Sequence, residues 1–335
     1  SLFVYNSDIA NCTPNSGNVR KGMSKDDIFI AVHDTFWTDS CMYADIVLPA
    51  DTALERTDCH WAYGSWYLGI NKPVIEPQGE SIRNTELFRM LADKMGYVDS
   101  TDNAFTQTDE EIIKDILLEA ENEDGERFNC LTEGINYDDV VKNGWARAST
   151  NSKRRDFLNN GWGTPSGKIE IKCEAITAEY PDVSPFPEYV PEIKGQYDPS
   201  KSKYPIQVLS SASHYFIGDS FQSVPRLQAM QSRPTVEMSV SDAKERNVKD
   251  GDLVRIYNEQ GETYCYAVII DGLLDGVCAT QKQFKGSNTP NGLNVNNLNS
   301  EMLTDFGKSP TFYSVLAEIE KASEEMSNKA IKQGA

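Results

Sequence analysis

The sequence predicts an α/β segment followed by a mostly-β segment, and three patterns predict it. The first is a set of short apolar runs, Leu2-Phe3-Val4-Tyr5, Ile28-Phe29-Ile30-Ala31-Val32 and Ile46-Val47-Leu48 before Pro49, separated by gaps of crossover length. Near-continuous apolar runs are what parallel strands covered on both faces require. The second is a proline-rich stretch: six of the fifteen prolines lie between Pro181 and Pro205, with no helical or alternating pattern between them. Such a stretch is an extended linker or a strap draped over a boundary. The third is the change of grammar after it, where Ile206–Leu209, Leu253–Tyr257 and Tyr264–Ile270 read as short strands, the last two joined by Glu259-Gln260-Gly261-Glu262. Short strands with glycine-containing turns predict a small barrel or sandwich.

In chain order, Leu2–Tyr5 is an apolar strand with no cap or arm before it, as expected of a cut through a larger protein. Asn84 can cap a helix in which Leu87, Phe88, Leu91 and Met95 form an apolar stripe and Gly96 is the stop. Thr108-x-x-Glu111 is a capping box before Ile112, Ile113, Ile116 and Leu117. Between Thr101 and Glu126 ten acidic residues face Lys114 alone, a local charge of −9. A solvated face or an insertion accounts for that run.

Composition narrows the function classes. With 335 residues, 51 acidic and 32 basic side chains, the formal charge is −19. That opposes a nucleic acid or an anionic membrane as the main partner. Hydrophobic residues at 39% still suffice for packed cores. The seven cysteines (12, 41, 59, 130, 173, 265 and 278) are scattered, with no Cys-x-x-Cys. Zinc-ribbon and clustered iron–sulfur patterns are therefore absent from the sequence, and odd, scattered thiols fit a reducing compartment such as the cytoplasm. No charged leader with an apolar core and no run of eighteen apolar residues is present, so membrane insertion is not expected. There is no G-x-G-x-x-G, Gly-x-Ser-x-Gly or His-Glu-x-x-His, and Gly163-Thr164-Pro165-Ser166-Gly167-Lys168-Ile169 fails the P-loop on spacing and on the residue after Lys168. His33, His60 and His214 assemble no local metal-ligand cluster.

Position points to a ligand where motifs do not. In an open α/β sheet, ligands bind beyond the carboxyl ends of the parallel strands. Asn6, His33-Asp34, and Asp51 with Arg56 follow the apolar runs at those points. An Asp there can hold a ribose hydroxyl or a purine edge, and Arg56 can neutralise a phosphate. Equally, Asn6 and Asp34 can simply begin turns. Asn84 has two readings, helix cap or nucleotide contact. His60, beside Trp61, reads as a packed or surface histidine. Ser210-Ser211-Ala212-Ser213-His214 offers hydroxyls and an imidazole in one loop, or an ordinary hydrogen-bonded turn. Asn288, Asn291, Asn294, Asn296, Asn297 and Asn299 crowd one stretch, which reads as loop or as a set of amides for a heteroaromatic edge.

Several strings taken together resemble one family, the molybdopterin oxidoreductases of the dimethyl sulfoxide reductase type. His33-Asp34-Thr35-Phe36-Trp37-Thr38-Asp39-Ser40, continuing through Tyr43-Ala44-Asp45-Ile46-Val47-Leu48-Pro49-Ala50 to Leu54-Glu55-Arg56-Thr57-Asp58, is similar to the family's "hD-x-x-x-T-x-T-a … ADivLP … E" block. Pro77-Gln78-Gly79-Glu80 with Asn84 resembles its "P-x-GE-x-x-x-N" element, and Thr164–Glu170 its "TPSGKiE" strand. Asp242-Ala243, Asp250-Gly251-Asp252-x-Val254 and Asn294-x-Asn296-x-Leu298 resemble the dinucleotide-binding barrel. The likeness runs in family order from about residue 2 to about residue 320. Gly218-Asp219-Ser220 departs from it, since relatives often have His-Ser-Gln there.

The resemblance implies a partial doubly wound α/β domain followed by a six-stranded, double-psi-like barrel. Its boundaries would be 1–180, with an acidic helical segment at 100–160, a linker at 181–203, the dinucleotide-binding barrel at 204–322 and a tail at 323–335. It implies molybdopterin guanine dinucleotide with molybdenum or tungsten as cofactor. Asn6, His33, Asp34, Arg56 and Asn84 match positions that in relatives hold the nucleotide end. Ser210, Ser211 and His214 match the first barrel loop, and Asn296 and Tyr313 match late barrel positions near the pterin. No catalytic or metal-ligating residue falls in this chain. In the family those residues, and any iron–sulfur cluster, lie upstream of the matched region. The expectation is thus the cofactor-binding half of a two-electron oxidoreductase, inactive by itself. Its partners would be the pterin, the remainder of the parent enzyme and an electron-transfer subunit. The alternative is a non-catalytic pterin- or nucleotide-binding module or subunit.

Overall fold

The computed structural model describes residues 1–97, 105–117, 120–121, 127–128, 135–147, 161–192, 194–195 and 197–328. The chain divides into two compact units, Ser1–Leu48 with Val190–Ala335, and Pro49–Tyr189.

The opening segment holds β1 (Leu2–Tyr5), α1 (Ile9–Cys12), α2 (Ser16–Met23), β2 (Ile30–Asp34) and β3 (Ile46–Pro49). All three apolar runs are strands, in the sheet order β1-β2-β3. β1 runs parallel to β2, with Leu2 opposite Ile30 and Tyr5 opposite His33. β2 is buried as far as His33, whereas β1 and β3 are half-exposed. Cover on both faces, expected for all three runs, holds for the central strand. Val4, Ala10, Met23, Ile30, Val32 and Cys41 form the core beneath the sheet.

The second unit contains β4 (Asp58–Trp61), β5 (Tyr67–Asn71), α3 (Asn84–Met95), α4 (Asp109–Leu117), the short pair β6 (Ala120–Glu121) and β7 (Arg127–Phe128), α5 (Tyr137–Asn143), β8 (Trp145–Arg147) and α6 (Glu174–Glu179). β4, β5 and β8 form an antiparallel sheet covered by Ile113 and Leu117 of α4 and Val140 of α5. The capping box is formed: the Thr108 N–H donates to Glu111 Oε2 at 2.7 Å, and the Glu111 N–H donates to Thr108 Oγ1 at 3.2 Å. α3 stops at Gly96, whose φ of 76° suits a residue without Cβ.

Two expectations fail in this unit. Asn84 is not the cap of α3: Arg83 occupies the cap position, makes no side-chain capping bond, and Asn84 is already the first helical residue. Thr164–Glu170 is not a strand. Pro165 and Gly167, with φ at 66°, reverse the chain, and the Gly167 N–H closes on the Thr164 carbonyl at 2.9 Å. Much of the acidic stretch, residues 101–104, 118–119 and 122–126, lies outside the described residues.

In the first unit the chain resumes with β9 (Ile206–Ser211), α7 (Pro225–Met230), β10 (Thr235–Ser239), α8 (Val240–Glu245), β11 (Leu253–Tyr257), β12 (Glu262–Ile270), β13 (Val277–Gln281) and β14 (Leu316–Lys321). The strands close into a barrel in the order β10-β12-β11-β14-β9-β13. The β10/β12 and β13/β9 pairs are parallel and the other four antiparallel, so the barrel is mixed. Ile206, Val208, Val236, Met238, Val254, Ile256, Cys265, Cys278 and Ile319 fill its interior. Ahead of the barrel the proline-rich chain is a strap: the Lys194 carbonyl accepts from Gln207 Nε2 at 3.5 Å, and Lys194 Nζ pairs with Glu259 at 3.2 Å.

The barrel interior yields a direct check on this core. Met238 is 1% exposed, so Met238→Ala should cost about 2–5 kcal/mol through lost burial and a residual cavity. The exposed neighbour Glu237, substituted by Ala, should cost well under about 1 kcal/mol. Midpoints of chemical unfolding for the two variants give the comparison.

Candidate functional site

In the first unit, β1 and β2 end side by side, and Asn6 leaves β1 in the left-handed region with φ at 51°. Asn tolerates that conformation better than most residues, and the turn leaves its side chain exposed. Its N–H donates to the His33 carbonyl at 3.3 Å, tying the two strand ends together. Asp34, the last residue of β2, is half-buried, and its Oδ1 accepts the Phe36 N–H at 3.0 Å. It therefore begins an Asx turn while presenting a carboxylate at the strand end. His33 is fully buried.

Just below lies a cluster of carboxyls. Asp8 Oδ1 accepts from the Ser40 N–H at 2.9 Å and the Ser40 hydroxyl at 2.6 Å, and Asp8 Oδ2 from the Asp39 N–H at 3.2 Å. Burial pushes Asp8 up to about 6, the Ser40 hydrogen bond opposes this, and the nearby Asp39 charge adds to it. Asp39 is paired with Arg20 at 3.1 Å. Burial also raises Asp219, which shares a hydrogen bond with the Cys12 thiol and faces Asp34 and Asp39. The Cys12 thiol is itself pushed up, by burial first and then by Asp219 and Asp8.

The asparagine-rich stretch joins the barrel to this opening segment. Asn294 Nδ2 donates to Asn11 Oδ1 at 2.6 Å, Asn296 Nδ2 to the Asn11 carbonyl at 2.9 Å, and the Gly286 N–H to Asn11 Oδ1 at 3.0 Å. The Gly17 N–H adds a bond to Asn297 Oδ1 at 3.1 Å, and the Ser287 N–H one to Asp39 Oδ2 at 3.1 Å. Gly286 has no room for a side chain, since a Cβ would meet Asp39 Oδ2 at 2.6 Å and the Gly292 carbonyl at 2.5 Å. Asn296 is 1% exposed, with its side-chain oxygen accepting from Asn299 Nδ2 at 3.0 Å. Its amide is thus engaged with the protein.

On the barrel, Ser210 is buried at the end of β9, while Ser211 and His214 are exposed. Ser211 Oγ donates to the Thr280 carbonyl at 3.3 Å, and the His214 ring stands edge-on to Tyr215 at 4.9 Å. The loop at Gly218-Asp219-Ser220 is pinned by a residue that sequence reasoning passed over. Gln222 is 1% exposed, donates to the Gly218 and Gln283 carbonyls at 2.9 and 2.8 Å, and accepts from the Lys285 N–H at 2.6 Å. Lys285 Nζ reaches the Trp37 carbonyl at 3.0 Å. Tyr313 is exposed, and its carbonyl accepts from Gln207 Nε2 at 2.7 Å.

In the second unit, Asp51 and Arg56 form one ion pair rather than two separate ligand groups. Arg56 Nη1 lies 2.9 Å from the buried Asp51 carboxylate, and Arg56 Nε lies 3.1 Å from Asp58. Glu55, between them in sequence, is buried and accepts from the Thr52 N–H at 2.6 Å, the Gln78 N–H at 2.7 Å and the Ser81 hydroxyl at 3.2 Å. Asn84 Oδ1 is buried, with no hydrogen-bond partner among the described residues. His60, read as a packed or surface histidine, is exposed on β4, with its ring over Gly69 of the neighbouring strand.

A carboxylate at a parallel strand end and, in the same unit, a closed barrel hydrogen-bonded to the strand-end segment are features expected of a protein of the class that holds a ligand beyond its strand ends. Comparison with known proteins gives the same class. The family described as "Molybdopterin oxidoreductase" matches residues 1–94, and that described as "Molydopterin dinucleotide binding domain" matches residues 206–316. The chain belongs to the molybdopterin oxidoreductases and is homologous to the dimethyl sulfoxide and trimethylamine-N-oxide reductases. It is 33% identical over 322 residues to the "Probable oxidoreductase YoaE" of Bacillus subtilis, covering 96% of this chain and 44% of that protein. It is 28% identical over 271 residues to the dimethyl sulfoxide reductase DmsA of Escherichia coli, covering 75% of this chain and 32% of that protein. The solved structure of acetylene hydratase from Pelobacter acetylenicus matches in fold with a TM-score of 0.74 at 19% identity, over 95% of this chain and 44% of that one. The chain spans less than half the length of these relatives. Its two domains indicate a molybdenum cofactor carried on molybdopterin dinucleotide.

The residues present fit that group. A carboxylate such as Asp34 suits the adjacent N–H donors of a guanine edge, and the Asn84 acceptor lacks a donor that a ribose hydroxyl would supply. Among the described residues, no group of three or more His, Cys, Asp and Glu could hold a metal ion by itself, and no helix is long and apolar enough to cross a membrane.

Asp8 gives the site a pH signature. Its folded-state value of about 6 lies above the ordinary 3.8, so between those limits the folded state keeps a proton that the unfolded state releases. Its contribution therefore falls as pH rises from about 4 to about 6. Asp8→Asn should remove that slope, gaining on the wild type across this window and running parallel to it above pH 7. Unfolding midpoints at pH 4, 5, 6 and 7 measure the difference.

Proposed function

We propose that this chain is the cofactor-clasping half of a molybdenum or tungsten bis-molybdopterin guanine dinucleotide oxidoreductase that performs two-electron redox chemistry on a small substrate. The observation that supports it most is the presence of both family domains in one chain, in family order, at residues 1–94 and 206–316. When bound, the cofactor would supply the redox centre. This chain would bind and orient it, with the metal-ligating residue, any iron–sulfur cluster and the contacts to an electron-transfer subunit in the remainder of the parent enzyme. The chain alone would then be catalytically silent. Its scattered thiols fit a cytoplasmic setting.

In the first unit, Asp34 would accept from the base, with Asn6 beside it. Ser211, His214 and Tyr313 are the exposed barrel groups for the pterin or its phosphates, while the buried His33, Ser210 and Asn296 hold the surfaces that carry them. In the second unit, Arg56 would share its charge between Asp51 and a phosphate oxygen, and Asn84 Oδ1 would accept from a sugar hydroxyl. The fold assignment that goes with this reading is a partial doubly wound α/β domain at 1–180, a linker at 181–203, a double-psi barrel at 204–322 and a tail at 323–335. Two parallel strand pairs in one closed barrel support the double-psi assignment.

Guanosine diphosphate is the probe that tests it. The purified chain should bind it, and Asp34→Ala and Arg56→Ala should each weaken binding about 10- to 100-fold, the scale of one hydrogen bond or ion pair to a charged group. Calorimetric titration of the three proteins decides. Equal affinities in all three would remove the strand-end assignments, and turnover by the isolated chain would remove the half-enzyme reading.

A further inference from the structure

We infer that Glu55 is a positioning residue, whose single carboxylate sets the loop carrying Arg56 against the loop that leads into Asn84. The inference rests on the reading of Arg56 and Asn84 as nucleotide contacts. Glu55 is 3% exposed, and among the described residues no cation pairs with it. Its partners are three donors on two separate loops. Oε2 takes the Thr52 N–H at 2.6 Å, on its own loop. Oε1 takes the Gln78 N–H at 2.7 Å and the Ser81 hydroxyl at 3.2 Å, on the other. Arg56 is the next residue along the first loop, and Asn84 opens α3 three residues after Ser81.

The neighbouring backbone shows why a side chain is needed for this. Beside Glu55, the two loops meet through the Asp51 N–H to the Ile82 carbonyl at 3.1 Å and the Ile82 N–H to the Pro49 carbonyl at 3.2 Å, an isolated bridge. A second contact lies further along, where the Leu54 carbonyl takes the Val74 N–H at 2.8 Å and the Ile75 N–H at 3.3 Å. The Glu55 carboxylate ties the Gln78–Ser81 stretch between those two contacts to a turn closed by the Glu55 N–H on the Thr52 carbonyl at 3.0 Å. The backbone contacts leave that stretch to the side chain, so the direction in which Arg56 and Asn84 present their polar atoms depends on Glu55. Its chemistry suits the task, because an ionised carboxylate is acceptor-only and can satisfy several donors at once. The Thr52 side chain and N–H, then the Gln78 N–H, hold it down to about 2, so the tie persists across the working pH range. A glutamine there would turn an NH2 group towards one of those donors and release one loop.

The test uses the purified chain with guanosine diphosphate as probe. Glu55→Gln should weaken binding about tenfold, the loss of one hydrogen bond to a charged group. The same substitution made on top of Arg56→Ala combined with Asn84→Ala should add little, because a positioning residue acts through the groups it positions. Ser81→Ala, a milder loosening of the same carboxylate, should weaken binding about threefold and takes the place of Glu55→Gln if that variant does not fold. The exposed Glu76→Gln should bind as the wild type does. If Glu55→Gln and Ser81→Ala leave affinity unchanged while Arg56→Ala weakens it, the positioning role is overturned and the Arg56 assignment stands. A full additional loss on top of Arg56→Ala combined with Asn84→Ala assigns Glu55 to general stability and also overturns the role. If Arg56→Ala and Asn84→Ala change nothing, the site reading falls and this inference falls with it.

Discussion

Asn11 is the residue on which the first unit depends. It is 1% exposed, and its backbone and side-chain oxygens take bonds from Asn294, Asn296 and Gly286 of the barrel. An apolar seam between the opening α/β segment and the barrel would tolerate sliding, since dispersion contacts are weak individually and not directional. Buried amides tolerate none, because each misplaced donor or acceptor is stranded out of reach of water at a cost of about 1–3 kcal/mol. Gly286, with no room for a Cβ, enforces the same register sterically. The seam therefore fixes Asn6 and Asp34 relative to the barrel loop that carries Ser211 and His214, although none of those residues takes part in it.

The same region resolves an apparent conflict of charge. A chain with a formal charge of −19 is a poor host for an anionic ligand. Yet the acids near the strand ends of the first unit are kept from acting as bare charges. Asp39 is neutralised by Arg20, and burial holds protons on Asp8 and Asp219 more firmly than water would. Burial and pairing thus weaken the local repulsion that composition alone would suggest.

The sequence disclosed what short-range chemistry decides. Apolar runs gave the strands at Leu2–Tyr5, Ile30–Asp34 and Ile46–Pro49, and the reciprocal Thr108/Glu111 bonds form as their spacing requires. Three of the barrel strands were found from apolar character, and three were not. β10 and β14 interrupt their buried residues with Glu237 and with Glu318 and Glu320, and β13 has only the three apolar residues Val277–Ala279, so that none makes an apolar run as long as four. Their pairing, including both parallel pairs, is set by partners far away in sequence. Long-range contacts also hid the parts of Gln222 and Asn11. Each is a common polar residue whose importance lies in donors and acceptors on a distant loop, with no local spacing to mark it. The failed strand at Thr164–Glu170 is the opposite case, where local turn chemistry at Pro165 and Gly167 prevailed over likeness to a family element.

Asn84 shows how the two kinds of information combine. At the start of a helix an asparagine needs no explanation beyond capping, and capping would have used its side-chain oxygen. With Arg83 at the cap position, that oxygen is buried and accepts from no donor among the described residues. A buried acceptor without a donor is destabilising, by about 1–3 kcal/mol relative to one that is satisfied. Such a group persists where another requirement outweighs that cost, and cofactor binding is one such requirement. A sugar hydroxyl reaching the oxygen would remove that penalty. The same reasoning separates Asn84 from Asn296, equally polar and equally matched to the family. Asn296 has already spent its donors and acceptor on Asn11 and Asn299, and so holds the barrel in place for others to bind.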